Sequence, residues 1–271
     1  MNVKTFLYTH PIFRFEEFQD WKQNQGPLEA SSIHSSLNYC IETNKIKRLR
    51  RELYGVIPPD EAPDTVMFDP YLIASKTSDD SILAYHTALE LLGVAYSTFG
   101  QFTFLTSRKV KPFEIDSQWY QPVLTPKTLR NSNQENFGIQ QINRQGIEIK
   151  VTNVSRTFVD AIDRPDLCGG WEEVYRSVCN MAVLNFEEIL QYCILRKNAT
   201  LCAKVGFFLG LREGAFEVPL NILEQLQELS PKSPQYMGDK DKEKHKLIQK
   251  WNLLVPMSVL NQSWDEPNYA V

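Results

Sequence analysis

Residues 58–63 read Pro-Pro-Asp-Glu-Ala-Pro, and no regular element can run through them. Proline fixes its φ angle and has no amide hydrogen, which excludes it from helix interiors and central strands. With Asp60 and Glu61 between the prolines, the segment has the makings of a stiff, exposed linker. At 271 residues the chain is long for one ordinary domain. The expected division is therefore a first domain over 1–58, a linker over 59–65 and a second domain over 66–271.

Ahead of the prolines the chain punctuates itself. Val3 to Thr9 suits a short helix, His10-Pro11 breaks it, and Ile12-Phe13 is a brief extended stretch. A second helix follows with Phe15, Phe18 and Trp21 on roughly one face, closed by Gly26-Pro27. A third, from about Ser31 to Asn44, places Ile33, Leu37, Cys40 and Ile41 at the spacing of a buried stripe and leaves Ser32, Ser35, Ser36, Asn38 and Tyr39 on its polar side. Lys45 to Ile57 then alternates as two short strands about a turn near Arg50 to Glu52, and five of its first seven residues are cationic: Lys45, Lys47, Arg48, Arg50 and Arg51. Helix, helix, polar-faced helix and cationic hairpin is the order of a winged helix-turn-helix.

The second stretch opens with an extended Val66 to Ser75 and a helix from Asp79 to Leu92 ended by Gly93. Val94 to Lys150, rich in aromatic and β-branched residues with frequent turns, reads as short antiparallel strands. Helices are expected over 155–162, 170–181, 185–195, 199–211 and 220–229, followed by a solvated charged tail over 239–246 before Trp251 to Val255 packs back. The fold class is thus α+β: a winged helix-turn-helix, then a larger α+β domain of one helix, short antiparallel strands and a helical array.

Charge supports a local rather than a global attraction to phosphate. The net charge is −4, but residues 1–57 hold eight Lys/Arg against six Asp/Glu. Screening over about 8 Å lets such a cationic edge act despite an acidic body. The five cysteines are odd in number and form no C-x-x-C pair, as expected of reduced thiols. His10, His34, His86 and His245 are scattered, so no structural metal is expected. Met1 to His10 lacks a signal core and no apolar run would cross a bilayer, which places the chain in the cytoplasm with no membrane partner.

A winged helix reads DNA by setting short polar side chains against base edges while cations beside them neutralise phosphates. Ser32, Ser35, Ser36, Asn38 and Tyr39 are the candidate base or phosphate contacts, and Lys45, Lys47, Arg48, Arg50 and Arg51 the candidate backbone grips. Enzyme signals are weaker. Glu148-Ile149-Lys150 matches the E-x-K half of a metal-dependent nuclease signature, but no Pro-Asp partner stands upstream, and an outward-facing ion pair explains it better. No phosphate-cradling glycine loop is present, and Glu172-Glu173 after Gly169-Gly170 suits a helix dipole better than catalysis. Neither enzymatic activity nor a cofactor is expected.

Several stretches resemble the AbiEi-type antitoxins of bacterial phage-defence loci. Ile46 to Pro58, "IKRLRRELYGVIP", is similar to the family's wing, with Glu52 where glycine is usual. Asp69 to Gly93, "DPYLIASKTSDDSILAYHTALELLG", resembles the opening of its second domain. Val151 to Val174, "VTNVSRTFVDAIDRPDLCGGWEEV", carries its most specific marks in Arg156-Thr157, Asp160, Asp163-Arg164-Pro165 and Gly169-Gly170. Lys204 to Leu211, "KVGFFLGL", and Lys250 to Pro256, "KWNLLVP", are similar to later segments. The resemblance implies a transcriptional autorepressor and antitoxin of a type IV toxin-antitoxin operon for abortive infection. Its winged helix would bind inverted repeats in promoter DNA, and its C-terminal domain would counter a nucleotidyltransferase-like toxin without a stable complex. A metal-dependent nuclease built on Glu148 and Lys150, or a module that binds the toxin directly, are the alternatives.

Overall fold

The computed structural model describes residues 3–26, 29–211, 217–240 and 244–262. Pro27, residues 241–243 of the charged tail, and the outermost residues of both expected domains lie outside these. The architecture is mixed α+β, and the chain folds into two compact units. The first comprises Met1–Leu83, Gly100–Val123 and Gln141–Val151; the second comprises Ala84–Phe99, Leu124–Gln140 and Thr152–Val271.

The first unit begins α1 (Val3–Thr9), β1 (Ile12–Arg14), α2 (Phe15–Gln23), α3 (Ala30–Glu42), β2 (Ile46–Arg50) and β3 (Leu53–Val56). β3 pairs antiparallel with both neighbours, giving the order β1-β3-β2. This is the winged helix-turn-helix that the sequence pattern predicts. Its core gathers Phe6, Phe13, Phe18, Ile33, Leu37, Cys40, Ile46 and Tyr54, with Phe15, Trp21 and Ile41 packed at the edge. Phe6 sits at the centre, its ring about 5 Å from those of Phe13, Phe18 and Trp21. Such a cluster lets three short helices hold a fixed geometry without a metal or disulfide.

The same unit continues with α4 (Pro70–Lys76), β4 (Ile82–Leu83), β5 (Gln101–Thr106), β6 (Phe113–Ile115), β7 (Gln118–Leu124), β8 (Ile139–Arg144) and β9 (Ile147–Thr152). The strands form one six-stranded sheet in the order β6-β7-β5-β4-β9-β8. β4 pairs antiparallel with β5 and β6 with β7, as expected, but β4 runs parallel to β9. Two expectations need correction. Residues 70–76 are helical rather than extended, because Asp69 accepts from the amides of Tyr71 and Leu72 and Pro70 occupies the first helical position. The helix expected over 79–92 is instead a strand and a short helix, because Ile82 and Leu83 join the sheet and Tyr85 turns to φ 58°.

The boundary between the units does not fall at residues 59–65. Strand β3 carries Gly55, where a side chain would collide with the Phe68 ring, so the chain returning from the prolines packs back on the wing's own sheet. Lys76 of α4 pairs with Glu17 of α2, and Arg50 of β2 lies over the Phe113 ring at 4.1 Å. These interactions tie the winged helix to the six-stranded sheet as one unit.

The second unit contains α5 (His86–Leu91), α6 (Lys127–Asn131), α7 (Val154–Asp163), α8 (Trp171–Cys179), α9 (Phe186–Arg196), α10 (Ala199–Leu211), α11 (Leu220–Glu228), β10 (Gln235–Tyr236), β11 (His245–Ile248), β12 (Leu253–Pro256) and α12 (Met257–Asn261). The helices from α7 to α11 stand where apolar periodicity places them. β11 adds regular structure to a tail expected to be solvated, because it pairs with β12 from His245 to Ile248. Gly206 of α10 admits the Trp251 ring so closely that a Cβ would sit 2.2 Å from it, which joins the "KVGFFLGL" and "KWNLLVP" segments. Among the described residues no helix is long and apolar enough to cross a membrane.

Candidate nucleic-acid interface

Helix α3 buries Ile33, Leu37 and Cys40 against the Phe6 cluster, and that rotation turns its other side outward. Ser32, Ser35, Asn38 and Tyr39 are exposed; Ser36 is half-buried and its Oγ accepts from Lys22 Nζ at 3.2 Å. Ser35 Oγ meanwhile donates to the Ser31 carbonyl at 2.9 Å, a bond it can exchange for a base or phosphate. His34 is also exposed on this helix, stacked on Phe15 at 4.6 Å. Sequence reasoning misses it, because a lone histidine carries no pattern of its own.

Between α1 and α3 runs a groove of about 450 Å³ lined by Lys4, Ser32, Ser35, Ser36, Tyr39 and Lys45, among others. Lys45 Nζ lies 4.7 Å from the Tyr39 ring, a cation–π interaction that fixes both at the rim. Lys4 is a groove residue that no pattern in the cationic hairpin points to.

The wing is a hairpin closed by only Arg51 and Glu52, with an extra residue between Arg48 and Arg50 in β2. That irregularity divides its cations. Arg48 and Arg51 are exposed, and Arg51 is 84% accessible in its side chain. Lys47 instead reaches Asp116 at 3.6 Å and the Phe68 ring at 5.8 Å. Arg50 stacks on Phe113, and burial lowers its pKa from the ordinary arginine value. Of the five wing cations, the geometry presents Arg48 and Arg51 outward and sets Lys45 beside the polar face of α3, whereas Lys47 and Arg50 face the unit's own sheet.

Glu52 adopts φ 62°, in the left-handed region where the resembling family has glycine. Glu52→Gly is accordingly expected to raise stability by about 0.5–1 kcal/mol, the left-handed penalty less the entropy of a freer unfolded chain. Urea unfolding of the intact protein checks this; an unchanged or lowered midpoint would contradict it.

Glu148 and Lys150 are both exposed on β9, on a cleft of about 320 Å³ that also holds Glu16, Glu17, Asp20 and Asp79. Glu148 accepts from Asn143 Nδ2 at 2.6 Å across the β8–β9 hairpin. Among the described residues no group of three His, Cys, Asp or Glu side chains is placed to hold a metal ion.

Three of the residues specific to the family resemblance, Arg156, Asp160 and Asp163, join a network with Tyr192 and Arg196 in the second unit. Asp160 accepts from Tyr192 Oη at 2.7 Å, Arg196 Nη1 at 3.1 Å and Arg156 Nε at 3.4 Å, while Arg196 also pairs with Asp163. Arg156 Nη1 donates to the carbonyls of Glu135 and Phe137 at 2.8 and 2.7 Å. Burial pushes the Asp160 carboxyl up against the pull of both guanidinium groups. Arg164 is instead exposed and forms a two-pronged pair with Asp166. Glu173, expected to serve the helix dipole, is buried and accepts from Tyr96 and Ser97 amides, Ser97 and Ser177 hydroxyls and His86 Nε2. Its role there is to pin the loop after α5.

No family model matches the chain, and no curated protein does. Among solved structures it is similar to the Rv2827c protein from Mycobacterium tuberculosis, with a TM-score of 0.61 at 13% identity, over 97% of this chain and 94% of that one. At that identity the likeness shows the fold alone.

Proposed function

We propose that this chain is a DNA-binding transcriptional autorepressor. Helix α3 reads an inverted repeat in its promoter, and the wing arginines Arg48 and Arg51 hold the adjacent backbone. The observation that carries this reading is the exposed polar face of α3 together with a wing whose Arg48, in β2, and Arg51, in the two-residue turn, are exposed. A helix of this width fits the major groove, and serine, asparagine and tyrosine can donate or accept at base edges. The cytoplasm is where such a protein acts. Antitoxicity toward a nucleotidyltransferase-like toxin of the same type IV operon is the second half of the proposal, assigned to the C-terminal region on the resemblance of Val151 to Val174 and neighbouring segments.

The test is sequence preference. Oligonucleotides selected from a random pool by the full-length protein, then titrated beside scrambled duplexes, give a specificity ratio. Ser35→Ala and Asn38→Ala are each expected to reduce that ratio by about 1–3 kcal/mol for every base-edge hydrogen bond they remove, with little change on scrambled DNA. Wild-type ratios in both variants would remove α3 as the reading helix.

A further inference from the structure

A second cationic segment lies in the same compact unit as the wing. Between β5 and β6 the chain runs Ser107-Arg108-Lys109-Val110-Lys111-Pro112, three cations without an acid, exposed at all but Val110. Its root is fixed. The Asp80 carboxylate accepts from the Ser107 amide and the Thr106 hydroxyl, both at 2.6 Å, and the Arg108 amide donates to Thr106 Oγ1 at 3.1 Å. Arg108 is itself engaged, its Nη2 lying 2.6 Å from Asp79. Lys109 and Lys111 make no ion pair among the described residues.

The far end of the segment meets the wing. Phe113, first residue of β6, carries the Arg50 guanidinium on its ring at 4.1 Å, and Asp116 beyond it lies 3.6 Å from Lys47. Two residues of chain span at most about 7 Å, so the backbone of Lys111 is held close to Arg50, at the end of β2 next to the wing's turn. Arg50 and Lys47 dock the wing against β6 and the turn after it, which directly follow this loop. The exposed cations that remain, Arg48, Arg51, Lys109 and Lys111, belong to the same compact unit.

We infer that Lys109 and Lys111 form a second phosphate-holding segment, which continues the wing's cationic edge along the backbone of a bound duplex. The inference rests on the DNA-binding reading and adds to it a phosphate grip from outside the winged helix. Two exposed lysines suit this role, because each ammonium neutralises a phosphate as a point charge without sequence information.

The experiment is fluorescence anisotropy of the full-length protein with a labelled mixed-sequence duplex across a series of KCl concentrations. Lys109→Ala/Lys111→Ala is compared with Lys244→Ala/Lys246→Ala, which removes equal charge from the second unit. The loop variant is expected to bind more weakly, with a salt slope shallower by about 0.9 for each phosphate no longer neutralised, while the control keeps the wild-type slope. Equal slopes in both variants, in a protein whose wild type binds and whose Arg48→Ala/Arg51→Ala variant loses slope, overturn this inference alone. Absence of DNA binding by the wild type overturns the DNA-binding reading and this inference with it. Thermal melting coincident with wild type excludes misfolding, since both lysines are exposed.

Discussion

Asp160→Ala is expected to destabilise the second unit by about 3–5 kcal/mol, the loss typical of removing one partner from a buried ion pair. The carboxylate is 1% exposed and is shared by Arg156, fully buried, and Arg196, 12% exposed in its side chain. Without it, two guanidinium groups remain out of water with Arg156 held only by the Glu135 and Phe137 carbonyls. A domain's net stability is about 5–15 kcal/mol, so this single change consumes a large part of it. Tyr192→Phe provides the graded comparison. It removes the 2.7 Å hydroxyl bond to Asp160 but keeps the ring stacked on Phe137, and is expected to destabilise by about 1 kcal/mol. Denaturant unfolding of both variants checks the order. An Asp160→Ala midpoint equal to wild type would show that the network contributes nothing to the fold.

This network also shows where the sequence stops being legible. Arg156 and Asp160 stand four apart and face one another on α7, so their pairing follows from helix geometry. Tyr192 and Arg196 sit on α9 and carry no signal that they converge on the same carboxylate, since that depends on how α7 and α9 pack. Glu173 is similar: its place in the first turn of α8 suggests a dipole role, whereas tertiary packing gives it five hydrogen-bond donors.

The winged helix is legible because local pattern decides it. Apolar spacing on α3, the break at His10-Pro11 and the alternation of Lys45 to Ile57 all act within a few residues. The expected linker shows the opposite case. Prolines 58, 59 and 63 do end regular structure, but whether the chain beyond them leaves or returns is set by Phe68 against Gly55, an approach no local pattern announces. A fragment begun near Asp64 would therefore uncover the Phe68 ring and the Arg50 face of Phe113, rather than separate two independent bodies. Within the wing, alternation locates the cations but not their directions, because the extra residue between Arg48 and Arg50 turns Arg50 to the sheet.

That direction supplies the decisive measurement. Binding of full-length protein to duplex DNA is followed against salt for wild type, Arg48→Ala/Arg51→Ala and Lys47→Ala/Arg50→Ala. If the outward arginines hold phosphates, the first pair weakens binding to selected and scrambled duplexes alike and makes the log–log salt slope shallower by about 0.9 per phosphate, or about 1.8 in all. The second pair, which faces Asp116 and Phe113, lowers the unfolding midpoint and leaves the slope nearer wild type. A wild-type slope in a folded Arg48→Ala/Arg51→Ala variant would contradict the account that this wing grips DNA.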